Sequence, residues 1–292
     1  MGDPRAVWLF HLRARAVAAR VIGGLARAGI DVLPVKGIVT GATLYRDVAE
    51  RPLTDVDLRF RPADFGEIVA WAGREGIRIV QRMRTYSNVV LEVDGLHVDL
   101  EAHVAPPFTC ALSIDTMLAR STPSDLFGVP HVLPDPYDHD VLLLHNVFKD
   151  KLGHAFRWAI ADVQRTPTRA GFHAPTLLDR LERARSLTMA TVVADWMVGN
   201  DESDAWVELR DSLRARCPRP GYARRQAELL RRLPHDALAL RLHNRWVADD
   251  PWLRARAIAR AIAWTVEGHI TGGHERREPL PADVRPLRPR SP

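Results

Sequence analysis

Apolar residues recur at helical spacing over residues 5–29, at Val7, Leu9, Phe10, Leu12, Val17, Val21, Ile22 and Leu25. The repeat predicts an amphipathic helix that stops at Gly29. The pattern then changes. DVLPVKG reads as a short buried strand running into a turn at Gly37, and residues 39–46 return to a helical pattern. After Pro52, VDLRF (56–60) alternates as a strand, and 62–75 reads as a helix with Pro at its start. GIRIVQ, YSNVVLEV and LHVDLEAHV follow as strands, the last two joined by Asp94-Gly95, a strong hairpin signal. Residues 31–104 therefore read as an α/β unit with a mixed or antiparallel sheet.

From about residue 136 the strand pattern disappears. Helical spacing predicts helices near 136–150, 154–166, 175–198, 203–215, 222–232, 236–248 and 251–270, with apolar stripes such as Leu177, Leu178, Leu181 and Leu229, Leu230, Leu233. Gly272-Gly273 closes the last helix, and five prolines between 279 and 292 predict a disordered tail. The expected class is α+β, divided into an N-terminal helix (1–30), an α/β core (31–135), a helical domain (136–273) and a Pro/Arg-rich tail (274–292). No internal repeat is apparent.

A chain of 292 residues, 46% apolar and 26% charged, has ordinary globular usage and can bury a large core. That excludes collagen-like, mainly disordered and disulfide-framed classes. No apolar run approaches the roughly 18 residues of a membrane span. The N-terminal MGDPRAVWLF lacks a signal-peptide pattern, and Cys110 and Cys217 read as two reduced thiols. A cytoplasmic protein with no membrane partner is expected. The net charge of +5 is uneven: residues 219–292 hold 15 basic and 8 acidic residues, and the remainder is slightly acidic. This C-terminal quarter is a candidate contact for a polyanion such as a nucleic acid. Lys36, Lys149 and Lys151 are the only lysines beside 38 arginines. A retained Lys suits a role as a compact charge against phosphate.

The chemically informative stretch is VKGIVTGATLYRDVAERPLTDVDLRF, residues 35–60. Asp55 and Asp57 stand at i and i+2 on a predicted strand, so both carboxylates share a face. Two acids so close repel unless a cation lies between them, and a hard divalent ion such as Mg²⁺ takes oxygen ligands while leaving room for phosphate oxygens. Upstream, Lys36-Gly37 precedes a helix, a setting in which backbone approaches phosphate closely. Downstream, Asp99 lies on another strand, in HVDLEAH. Together these predict a three-carboxylate metal site that positions a nucleoside triphosphate and activates an attacking hydroxyl.

The pattern resembles the DNA polymerase beta-type nucleotidyltransferase superfamily. More narrowly, it resembles an uncharacterised bacterial nucleotidyltransferase family whose signature is L-K-G…L-Y…R-P…D-x-D-L. Here it reads Val35-Lys36-Gly37, Leu44-Tyr45, Arg51-Pro52 and Asp55-Val56-Asp57-Leu58. The family's V-D-L-x-x-H element appears as Val98 to His103, and its helical segments as His145, Lys149, Trp158 and Asp162. Ile38 stands where the superfamily turn usually carries a second Gly or Ser. The resemblance covers roughly residues 30–166 and implies a polymerase-beta-like core followed by an all-helical region. It implies that Asp55, Asp57 and Asp99 hold Mg²⁺ or Mn²⁺, with Asp99 the base toward the acceptor hydroxyl. It implies further that Lys36, Gly37, Arg51, Lys149 and His145 meet the nucleotide.

The expected activity is transfer of a nucleoside monophosphate from an NTP to an acceptor hydroxyl, with release of pyrophosphate. A small molecule, a peptide or protein side chain and a tRNA end all stand as acceptors. Two other classes compete: an inactive binding module on the same fold, supported by Ile38, and a basic RNA-binding protein using the Arg-rich helices, which would bind in a salt-sensitive way.

Overall fold

A computed structural model describes residues 3–152, 157–199, 203–232 and 246–270. The chain forms two compact units, 1–106 with 111–143, and 107–110 with 144–292.

The first unit opens with α1 (Pro4–Arg27), capped by the Asp3 carboxylate on the Arg5 amide and started by Pro4. There follow β1 (Val32–Val35), α2 (Gly37–Thr43), β2 (Val56–Phe60), α3 (Phe65–Arg74), β3 (Arg78–Met83), β4 (Asn88–Val93) and β5 (Leu96–Glu101). The five strands form one mixed sheet in the order β1-β2-β5-β4-β3. The β2–β5 pair is parallel and the others are antiparallel. Asp94 and Gly95 both take positive φ, 52° and 71°, as the two-residue turn between β4 and β5 requires.

The two faces of this sheet differ sharply. Val56, Leu58 and Phe60 of β2, Val89, Leu91 and Val93 of β4, and Val98 and Leu100 of β5 point to one side. There they pack with Val17, Val21 and Leu25 of α1 and Ile68 and Trp71 of α3. At Gly24 the α1 backbone comes so close to α3 that an added Cβ would stand 2.7 Å from the Trp71 ring. Asp57, Arg59, Asp99 and Glu101 alternate with these residues and so occupy the opposite face. The first turns of α1 depart from the predicted apolar stripe: Leu9 is 60% exposed and Leu12 is also exposed. A hydrophobic repeat cannot tell a residue with an opposing layer from one that overhangs it.

After α4 (Ile114–Ala119), a hairpin of β6 (Thr122–Ser124) and β7 (His131–Leu133) forms where no strands were predicted, because three-residue strands carry almost no periodicity. Then comes α5 (Pro136–Asn146), continued by a π-helical turn, Val147–Lys151.

Among the described residues, the second unit is helical beyond that turn: α6 (Arg157–Arg165), α7 (Ala174–Arg183), α8 (Leu187–Val198), α9 (Asp204–Arg216), α10 (Pro220–Arg232) and α11 (Pro251–Ile270). The single helix expected over 175–198 is two, since Arg185 takes φ 55° and breaks the run. The Asp249 carboxylate then caps α8 through the Leu187 and Thr188 amides. Every residue of α8 from Leu187 to Met197 is buried, with α9 and α10 packed against it. The helix expected at 236–248 falls mostly outside the described residues, as does the tail. Neither Cys110 nor Cys217 is in a disulfide. No helix among the described residues is long and apolar enough to cross a membrane.

His145, buried in the second unit, shares a 2.8 Å hydrogen bond with the Ser186 hydroxyl, and burial pushes its pKa down to about 3. The unfolded chain protonates this ring below about pH 6.5 while the fold keeps it neutral, so the unfolded state binds more protons in that window. Stability therefore falls as pH falls from 6.5 toward 3. His145→Gln should flatten the decline between about pH 6 and pH 4 by up to about 1.4 kcal/mol per pH unit, read by urea denaturation. Identical slopes would refute this. On the apolar face of the sheet, Leu100→Ala should cost about 2–5 kcal/mol by the same method. Leu9→Ala, on the exposed turns of α1, should cost no more than about 0.5 kcal/mol.

Candidate active site

The parallel register of β2 and β5 sets Asp57 opposite Asp99 and Arg59 opposite Glu101. All four side chains project from the face away from the apolar core, so acids and a guanidinium crowd one small area. Oxygen atoms of Asp57, Asp99 and Glu101 lie within 4.8 Å of one another.

Two cations answer them. The Lys36 ammonium donates to Asp57 and lies 3.7 Å from Glu101. The Arg59 guanidinium, almost wholly buried, binds Glu101 at 2.7 Å. From β4, the Asn88 amide donates to Asp99 at 2.5 Å.

The electrostatics follow from this crowding. Burial works to lower the Lys36 pKa, but the charges of Asp57 and Glu101 outweigh it and hold the group above its ordinary value. For Asp99, burial and then the negative charge of Glu101 push the carboxyl up to about 7. Three convergent carboxylates, one of them driven toward its neutral form, suit a divalent cation bound through oxygen. Asp57, Asp99 and Glu101 could hold one.

Lys36 sits in the β1–α2 connection with φ 55° and ψ −137°, a sparsely populated backbone conformation costing about 1–3 kcal/mol. It is held by hydrogen bonds on both sides. Its amide donates to His139 Nε2 at 2.9 Å, and its carbonyl accepts from the Val39 and Thr40 amides at 3.0 and 2.7 Å.

The next residue must be small. A Cβ on Gly37 would stand 2.7 Å from a Leu53 methyl and 3.1 Å from the Arg51 guanidinium. Arg51 itself donates to the Pro52 carbonyl, and its own carbonyl lies 2.6 Å from His11 Nε2. Ile38, at the position where the superfamily turn usually carries Gly or Ser, is buried in the apolar core on the other side of the sheet.

Of the residues singled out in the sequence, Lys36, Asp57 and Asp99 converge, and Gly37 and Arg51 lie against each other beside Lys36. Asp55 stands one residue before β2, partly exposed, and accepts from Thr54 Oγ1 at 3.0 Å. It is not a member of the converging group. His145 and Lys149 belong to the second unit, His145 buried against Ser186 and Lys149 exposed on the π-helical turn.

Sequence reasoning missed Glu101, Arg59, Asn88 and His139. The first two carried a usable signal: each stands two residues beyond a chosen Asp on the same strand, so period two puts it on the same face. Asn88 and His139 carried none, since strand register and the packing of α5 place them.

A search of the curated proteins finds no match. Among solved structures, the antibiotic-resistance factor ANT(2'')-Ia aligns over 74% of this chain and 94% of its own at 14% identity. Its TM-score of 0.36 is too low to carry anything further to this chain. The model of a family described as uncharacterised nucleotidyltransferase matches residues 6–197, about two thirds of the chain. That span contains both the β2–β5 carboxylates and the Lys36 turn, and by it the chain belongs to the uncharacterised nucleotidyltransferase family and is a transferase enzyme.

Proposed function

We propose that the protein transfers a nucleoside monophosphate from an NTP to an acceptor hydroxyl, with Mg²⁺ or Mn²⁺ bound by the carboxylates of β2 and β5. The observation that carries this reading is the convergence of Asp57, Asp99 and Glu101 beside Lys36 within a nucleotidyltransferase family member. Bound there, the ion would polarise phosphate oxygens and lower the pKa of the attacking hydroxyl.

The protein's own residues do the rest. Asp57 is central to the carboxylate set. Asp55 borders it on the chain and Asp99 faces it across the strand pair. Asp99 takes the proton from the acceptor hydroxyl as its oxygen bonds to the α-phosphorus and the α–β bridging bond breaks. Lys36 and Arg51 neutralise the charge that builds on the departing pyrophosphate. Gly37, next to Lys36 in the turn, leaves the space that the Leu53 and Arg51 side chains fill. Lys149 is a further candidate for the phosphates. His145 keeps its core position. Glu101 balances Arg59 and Lys36 and completes the acid set.

The acceptor is a small molecule, a peptide or protein side chain, or a tRNA end. Surface chemistry of the second unit bears on the last. Arg219 stacks on Tyr222 at 4.1 Å and Arg256 on Phe108 at 4.1 Å, whereas Arg231 is committed to the Asp195 carbonyl.

Titration of each of the four NTPs with Mg²⁺ would identify the donor by calorimetry. Asp57→Asn should then lower transfer of that nucleotide on the order of 10³-fold and abolish Mn²⁺ binding seen by electron paramagnetic resonance. An Asp57→Asn protein that still binds metal and transfers normally would sink the reading.

A further inference from the structure

Resting on the metal-site reading above, we infer that Lys36 is an internal counter-cation. It ties the carboxylate cluster together and gives up its place to the incoming divalent ion. Its ammonium then turns to the polyphosphate of the nucleotide.

Four observations point there. First, the ammonium lies within the acid cluster itself, bonded to Asp57 and 3.7 Å from Glu101. A divalent ion bound by the same carboxylates at 2.0–2.6 Å would stand beside that ammonium, and two cations so close repel strongly. One must move.

Second, the backbone of Lys36 is fixed. Its amide is held by His139 and its carbonyl by two amides of α2. The mobile part is the four-carbon stem, which swings about a pinned Cα.

Third, Arg59 cannot do this job. It lies on the buried strand β2, 2.7 Å from Glu101, with its side chain only 2% exposed. It is the permanent partner, and Lys36, 15% exposed, is the removable one.

Fourth, this chain uses Arg 38 times and Lys three times. A guanidinium grips a carboxylate bidentately, whereas an ammonium binds as a point charge and is more readily exchanged. Lys at this position suits a charge that has to let go.

The test needs no nucleotide. Mn²⁺ binding is measured by electron paramagnetic resonance on wild type, Lys36→Gln and Lys36→Met. Removing the competing cation should tighten Mn²⁺ at least about tenfold. Both variants should melt lower than wild type without metal and recover more on adding Mn²⁺. A lysine that serves only as a phosphate ligand predicts unchanged Mn²⁺ affinity, and one needed only for folding predicts weaker binding. Either result overturns the inference.

A measurement on wild type guards against variants that fail to fold. With three lysines in the chain, acylation of Lys36 is readily followed by mass spectrometry, with Lys149 as internal reference. Saturating Mn²⁺ should raise Lys36 acylation several-fold relative to Lys149, whereas bound Mn²⁺ with unchanged acylation refutes displacement. If neither wild type nor the variants bind Mn²⁺, the metal-site reading itself falls. If wild type binds and the variants bind no more tightly, only the role of Lys36 falls.

Discussion

The parallel pairing of β2 with β5 brings like charges together, and the first unit is arranged around that fact. Asp57 faces Asp99 in this register, Glu101 lies one pleat farther along, and their oxygens meet within 4.8 Å. Carboxylates that close and that buried are unfavourable unless compensated. The compensation comes from two cations of different kinds and from the Asn88 amide. Folding must supply the energy to hold this set, and the opposite face of the same strands provides it. Leu58, Phe60, Val98 and Leu100 are each fully buried against α1 and α3. At about 25 cal/mol per Å² of apolar surface, a few such side chains offset several kcal/mol of polar burial. Stability and chemistry are thus separated by one pleat.

That separation explains how much of the site could be read in advance. Alternation in VDLRF and VDLE puts Asp57 and Asp99 on polar faces, and the Asp94-Gly95 turn fixes the register of β4 and β5. The parallel β2–β5 contact had no such local signal, because it joins residues 42 apart across two intervening strands. Arg59 and Glu101 became partners only through it. Asn88 depended on the next register over, and His139 on the packing of α5 against the Lys36 turn. Period two makes Asp55 a partner of Asp57 only if the strand extends one residue before Val56. The chain departs from strand geometry there, and the acid falls outside the group.

In the helical half, composition and spacing located most of the helices but not where they break. Between α7 and α8 the apolar repeat runs on without Gly or Pro, yet Arg185 adopts positive φ and Asp249, more than sixty residues away in sequence, caps the new start. A non-local cap leaves no trace in a local pattern. The hairpin of β6 and β7 carries no signal for a related reason: its three-residue strands are too short for alternation to be distinguished from loop.

Ile38 shows how a departure from a motif can be settled by asking which way a side chain points. In the sequence it weighs against catalysis, since it stands where the superfamily turn usually carries a small residue. In the fold its side chain is buried in the core with Val39, on the side of the sheet opposite Asp57. At Gly37 the turn leaves no room for a Cβ, since Leu53 and Arg51 fill that space, and the next position anchors α2 in the core. An anchored α2 fixes the Lys36 carbonyl through Val39 and Thr40, and hence the point about which the ammonium moves. The bulky residue that argued for a decayed site is part of what holds its mobile charge in register.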